Sequence, residues 1–262
     1  MLRIILKYSM LVLTLFSFGC LVIQYLIHDS DNCKNETTVN EKYDSKLSTV
    51  NSIDKCIKFC NPEDNIKIFD SLQFVYRLDS LLKYRFFHGY SRYGFKDNFL
   101  IYALSILIYG DVSAIVNPNH LIQKDYAACS QQAIIFMEVL KQRGFKVRKV
   151  GLQSHFCSEV YYSGKWHFFD TNQEAEFDDI ATVPGIEELI NDKSLLYKAY
   201  ANSHSMDTAS IERVFNADFL EIGKENEFPA KRMLLFQNVV RIISNILWLF
   251  FLAIFFLIKS KK

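Results

Sequence analysis

Each end of this chain carries a long uncharged apolar run, so whatever folds must fold between them. After Arg3 and Lys7 the sequence holds no charge from Met10 to Ile27, about 18 residues and near the lower bound for a spanning helix. A cleaved signal peptide would share the basic start. The run exceeds a typical signal core, however, no small-x-small cleavage site follows it, and Phe18 is too bulky for lipoprotein processing at Cys20. The expectation is an uncleaved anchor. The second run, between Arg241 and Lys259, is about 17 residues and is apolar all round with phenylalanine clusters, which suits lipid better than a one-sided core position. Arg3 and Lys7 precede the first run, and Lys259, Lys261 and Lys262 follow the second. By the positive-inside rule both termini are expected in the cytoplasm, although Lys231, Arg232 and Arg241 on the inner flank pull the other way.

The domain organisation that follows is a cytoplasmic tip (1–9), a transmembrane helix (10–27), a polar tether (28–65), an extracytoplasmic domain (66–230), a second transmembrane helix (234–258) and a basic tail (259–262). Half the residues are hydrophobic, which supports a packed core, and a formal charge of +1 gives no support for nucleic acid as a partner. Six cysteines in 262 residues do not make a disulfide scaffold. Cys33, Cys56 and Cys60 invite a pairing in an oxidising compartment, and no histidine cluster beside them suggests a metal. Asn35-Glu36-Thr37 fits a glycosylation sequon.

Within the domain, Ile68, Leu72, Val75, Leu78 and Leu82 recur at helical spacing over 66–88. The aromatic turn Tyr84 to Gly94 is expected to pack on the core. Phe99 to Tyr109 is apolar but too short to cross a membrane, so it is expected as a core helix.

The chemistry concentrates near residues 120–175. Asp125 is a candidate N-cap for a helix running from Cys129 to Gln142, with Gly144 as its stop. A cysteine in the first turn of a helix sits at the positive end of the macrodipole, where an anion is favoured. The backbone N–H of Ser130 is then a candidate oxyanion donor. Phe145 to Gln153 reads as a strand, and His155–Tyr162 and Lys165–Asp170 read as a hairpin turned at Ser163-Gly164. If Tyr162 pairs with Lys165, then Cys157 faces Asp170 and His155 faces Asn172. His155, Cys157, Asp170 and Asn172 then share one face, with His155 and Asp170 as diagonal neighbours. A one-residue slip would separate them. On that face an aspartate can orient a histidine that serves a thiol nucleophile. Trp166 and Glu159 read as structural, and His167 falls on the opposite face. His204 reads as a surface histidine in a polar loop.

Cys129 followed by His155-Phe-Cys-Ser-Glu-Val-Tyr-Tyr-Ser-Gly-Lys-Trp-His-Phe-Phe-Asp170 resembles the transglutaminase-like superfamily, within the papain-like thiol enzymes. The resemblance covers roughly residues 120 to 175. It implies an α+β fold with a papain-like core, in which the cysteine-bearing helix packs on an antiparallel sheet, here between two transmembrane helices. It also implies Cys129 as nucleophile, His155 as general base and acid, and Asp170 as the orienting carboxylate. The implied reaction is attack on an amide or peptide carbonyl through a thioester. Gln123, six residues before Cys129, matches the spacing of the papain-like oxyanion glutamine and is a candidate second donor. The sequence departs from the family at Cys157 (usually tryptophan), Ala128 (often glycine) and Thr171 (often proline). Cys157 also invites a disulfide with Cys129, which would gate the site by redox state. No cofactor or metal is expected. The expected partners are the lipid bilayer and a protein, peptide or cell-envelope substrate. The alternative, from another class, is a catalytically silent transglutaminase-like module that scaffolds partners at the membrane.

Overall fold

The computed structural model describes residues 2–26, 42–61, 71–203 and 206–258. Cys33, the sequon at Asn35, His204 and the basic tail residues Lys259, Lys261 and Lys262 lie outside them. The elements in chain order are α1 (Leu2–Leu26), α2 (Ile53–Cys60), α3 (Ser71–Arg85), α4 (Phe99–Leu107), α5 (Pro118–Leu121) and α6 (Cys129–Gln142). Then come β1 (Lys146–Leu152), β2 (His155–Tyr162), β3 (Lys165–Phe169), α7 (Ile186–Asn191), α8 (Lys193–Ala199), α9 (Thr208–Val214), β4 (Glu221–Ile222) and α10 (Lys231–Leu257). The chain divides into two compact units.

One unit comprises Met1–Lys34, Arg92–Ala114 and Ala230–Lys262. Its α1 and α10 are both long and apolar enough to cross a membrane, and little of either is buried. They pack together, with Thr14, Ser17 and Cys20 buried on α1 and Gln237, Val240 and Ser244 buried on α10. Thr14 and Ser17 return their hydroxyls to the carbonyls of Met10 and Leu13. Phe18 meets Trp248 edge to face at 5.2 Å, and the Lys7 ammonium lies over the Phe255 ring. The two helices are therefore antiparallel neighbours.

The segment Arg92–Ala114, with α4, belongs to this unit. The sequence reading has α4 as a core helix of the 66–230 domain. Phe99 and Ile101 are buried, but Ile106, Leu107 and Ile108 are exposed. An all-apolar helix carries no sign of which apolar surroundings it joins.

The other unit, Asn35–Ser91 and Ile115–Pro229, is α+β. Its sheet is antiparallel throughout, in the order β3-β2-β1-β4. Tyr162 pairs with Lys165 and Ser158 with Phe169, the register that the Ser163-Gly164 turn dictates. Both turn residues have positive φ, as a tight primed turn requires. Successive side chains point to opposite faces. Phe169 meets Phe136 of α6 at 5.3 Å, so α6 covers one face. Phe168 and Cys157 point the other way into a core completed by Ile186, Leu189, Leu196, Tyr200 and Phe215 from α7 to α9 and the turns after them.

The described part of the expected tether, residues 42–61, is not a tether. Ser52 N-caps α2, which buries Ile53, Cys56 and Cys60. The i, i+3, i+7 spacing of those three makes a single apolar face. The Lys42 ammonium pairs with the Glu174 carboxylate at 2.7 Å, and the Tyr43 ring stacks on Phe87 at 3.8 Å. Cys56 and Cys60 are free thiols, and burial pushes both up to about 12.

Candidate active site

Cys129 is the first residue of α6, and Ala128 is its N-cap, with no side-chain bond of its own. Asp125 does not cap the helix, as the sequence suggests it should. Its carboxylate meets the buried Arg85 guanidinium at 3.4 Å, and its carbonyl accepts from Phe87 N–H. Arg85 donates to the carbonyls of Val50 and Ile122 as well. With Ala128 as the N-cap, Asp125 lies three residues too early to cap the helix.

Gln131 organises the approach to Cys129. Its side-chain oxygen accepts from the N–H groups of Ser91 (2.8 Å) and Ala128 (3.2 Å). Its amide nitrogen donates to the carbonyls of Ser91 and Ile115, each at 2.8 Å. The reach back to the N-cap N–H is the glutamine half of a capping box, the signal by which the sequence could have disclosed this role. Gln132 donates to the Ala127 carbonyl. The first α-helical bonds begin at Gln131 and Gln132, both to the Ala128 carbonyl, which leaves the Cys129 and Ser130 N–H groups at the open helix start.

His155 opens β2, and Asp170 follows directly on β3. His155 Nε2 lies 2.7 Å from Asp170 Oδ2, and the Cys129 thiol is among the groups that favour charge on the same ring. The other Asp170 oxygen accepts from the N–H groups of Asn172 (3.2 Å) and Gln173 (3.0 Å). The Tyr200 hydroxyl donates to Oδ2 at 2.8 Å. Burial would raise the Asp170 carboxyl, but the His155 charge and these donors outweigh it and hold it down to about 2. Burial also opposes charge on His155, and the facing carboxylate reverses that, holding the ring well above its ordinary value. Opposite charges at this separation favour each other's ionised form.

Tyr200 is a site residue that the sequence does not disclose. It lies 30 positions beyond Asp170, just after α8, and no local pattern links the two. Gln123 is exposed, and its amide donates to the Asn119 carbonyl at 2.8 Å, so that donor is engaged within its own turn and not at the thiol.

Cys157 is fully buried beside the pair. Burial pushes its thiol far up. Cys129 and Cys157 are both free thiols. His155, Cys157 and Asp170 hold their ligand atoms within 4.8 Å of one another, a nitrogen, sulfur and oxygen set of the kind zinc accepts. Two ligands of one tetrahedral zinc stand ~3.3 Å apart. The 2.7 Å between Nε2 and Oδ2 is instead a charge-assisted hydrogen bond.

Neighbouring residues are structural, in line with the sequence. Glu159 is held by Arg148 at 2.7 Å and accepts from Ile186 N–H at 2.8 Å. Trp166 lies against the Arg148 guanidinium. His167 is buried, stacks on the Tyr162 ring and bonds the Val183 carbonyl. A cavity of about 310 Å³ lies on the Phe169 side, lined by Tyr76, Asp79, Lys83 and Val183 among others, and none of the three reactive residues lines it.

The chain matches no family model, no curated protein and no solved structure. The transglutaminase-like resemblance therefore rests on these residues and their spacing.

Proposed function

We propose that the chain is a membrane-anchored, transglutaminase-like thiol enzyme that attacks amide or peptide carbonyls. The observation that carries this is the His155 imidazole held on Nε2 by Asp170 at 2.7 Å, with Cys129 at the start of α6 among the groups that act on its charge. A nucleophile and its base within hydrogen-bond reach, with the base oriented by a third group, is the recurring arrangement for thiol catalysis.

In this mechanism His155 takes the Cys129 proton as sulfur bonds to the carbonyl carbon. Charge develops on the carbonyl oxygen, and the N–H groups of Cys129 and Ser130 at the start of α6 are the nearest candidate donors for it. The imidazolium, held by Asp170, returns its proton to the leaving amine as the carbon–nitrogen bond breaks, and a thioester remains. Water or a second amine, deprotonated by His155, then displaces the sulfur. Asp170 stays ionised throughout and stabilises the imidazolium.

In the topology proposed, α1 and α10 cross the bilayer with both termini cytoplasmic, and the α+β unit faces the other side. Its substrates are then extracytoplasmic peptides, proteins or envelope material. Arg3 and Lys7 support this orientation.

A thiol-reactive amide probe tests the reading. Labelling is expected at Cys129, is abolished in Cys129→Ala, and falls steeply in His155→Ala. Equal labelling of the wild type and His155→Ala would overturn it. A second reading, a silent module at the membrane, is favoured by Cys157, which fills with a small thiol the position where the family resemblance implies tryptophan. A Cys129→Ala chain that retains full function in cells would select that reading.

A further inference from the structure

From the structure we infer that α4 and the residues after it form a lipid-inserting element, dipping into the bilayer from the surface without crossing it. The inference rests on the reading of α1 and α10 as membrane spans and adds a third contact with lipid. No charged residue occurs from Phe99 to Tyr109, between Asp97 and Asp111. Its distal end is bare: Ile106 is 66%, Leu107 79%, Ile108 74% and Tyr109 62% exposed. Four successive apolar side chains in that state are costly in water and favourable in an acyl layer.

Its anchors set its depth. Phe99 N–H donates to Gln24 Oε1 at 3.1 Å, near the end of α1, and Asn98 Nδ2 donates to Ser244 Oγ at 2.7 Å. Ser244 lies three residues past Arg241, about 4.5 Å into the charge-free part of α10. The segment returns where Gln237 Nε2 donates to the carbonyls of Val112 (3.2 Å) and Ala114 (2.6 Å). That is seven residues, about 10 Å, back along α10.

The chain thus enters at the level of apolar helix and leaves above it. The Arg92–Asp111 ion pair (3.0 Å) marks its exit, and Tyr102 and Tyr109 are residue types that settle at headgroups. Within α4 the backbone bonds to itself as far as Ile108 N–H to Leu104 O. Its nine residues span about 14 Å, half of a hydrocarbon core, which excludes crossing. Lipid is the occupant because α4 packs on α1 and α10, whose exposed apolar sides the same bilayer would cover.

The test uses the full chain in liposomes of phosphatidylcholine and phosphatidylglycerol, with or without acyl-brominated lipid, and fluorescence quenching as the readout. Trp166→Phe leaves Trp248 as a reporter of the span. Trp166→Phe/Trp248→Phe/Leu107→Trp reports α4, and Ile108→Trp in the same background is an independent second reporter at an exposed position. Both α4 reporters are expected to lose most of their emission to brominated lipid and little to aqueous iodide. Quenching by iodide alone, with Trp248 still quenched by brominated lipid, overturns the dip and leaves the spans standing. Shielding from both quenchers means a protein surface or a second copy covers α4, which also overturns it. An unquenched Trp248 overturns the spans and the dip together.

Discussion

His155 and Asp170 stand 2.7 Å apart with their side chains only 5% and 1% exposed, in a hairpin whose register places them as diagonal neighbours. Removing one partner from such a pair leaves the other buried and uncompensated. Asp170→Asn is therefore expected to lower Cys129 reactivity toward an amide probe by about three to four orders of magnitude. The measurement is the second-order labelling rate, and a rate within a few-fold of wild type would contradict the assigned role.

Tyr200→Phe deletes one donor to the same carboxylate while keeping the ring. A hydrogen bond to a charged group contributes about 1.5–3 kcal/mol, so a stability loss of that order is expected. The Asp170 carboxyl should also titrate higher, because Tyr200 is among the groups that hold it down. Carboxyl titration by NMR checks this. An unmoved Asp170 would show that the hydroxyl only fills space.

Stability should fall at both ends of the pH scale because of this pair. Asp170 is depressed from 3.8 to about 2, so its contribution is full above 3.8 and is lost as pH falls through about 2. The shift corresponds to about 2 kcal/mol. His155 is raised above 6.5, so its contribution is full below 6.5 and fades as pH rises through its folded value. Denaturation midpoints followed against pH should lose both dependences in the Asp170→Asn, His155→Ala double variant.

The buried thiols should be inert next to Cys129. Burial raises Cys56 and Cys60 to about 12 and Cys157 further, and the thiolate is the reactive form. Brief alkylation of the native chain near neutral pH, mapped by mass spectrometry, should modify Cys129 well before these three. Equal modification of Cys157 would show that the site opens.

Gln131→Ala should be among the more destabilising single changes at the site. It strips partners from buried backbone groups of Ser91, Ile115 and Ala128, each worth about 1–3 kcal/mol. A loss of about 3 kcal/mol or more is expected in chemical denaturation. Gln131→Glu, which keeps the acceptor, should recover part of it.

Ser163-Gly164 specified a turn, the turn specified the pairing of Tyr162 with Lys165, and counting then put His155 beside Asp170. The start of α6 at Cys129 and the apolar runs of α1 and α10 were also legible, because periodicity, turn chemistry and unbroken apolarity are properties of neighbouring residues. Asp125 carries the signal of a cap, an isolated acid shortly before an apolar helix, but α6 starts at Cys129, three residues too late for it. Residues 42–61 looked like a tether because their polar residues outnumber the three that α2 buries.

What the sequence by itself determined is that α6, the hairpin and the two terminal apolar helices form, how the hairpin registers and where the reactive side chains point along it. Tertiary structure alone decided that Tyr200 closes on Asp170, that Gln131 ties together the Ser91, Ile115 and Ala128 backbones, and that α4 joins the terminal helices. Each of those joins residues or elements far apart in the chain. Apolar faces carry the same hydrophobic signal whichever partner they meet, so the choice among partners is made by shape and hydrogen-bond satisfaction once the chain has closed.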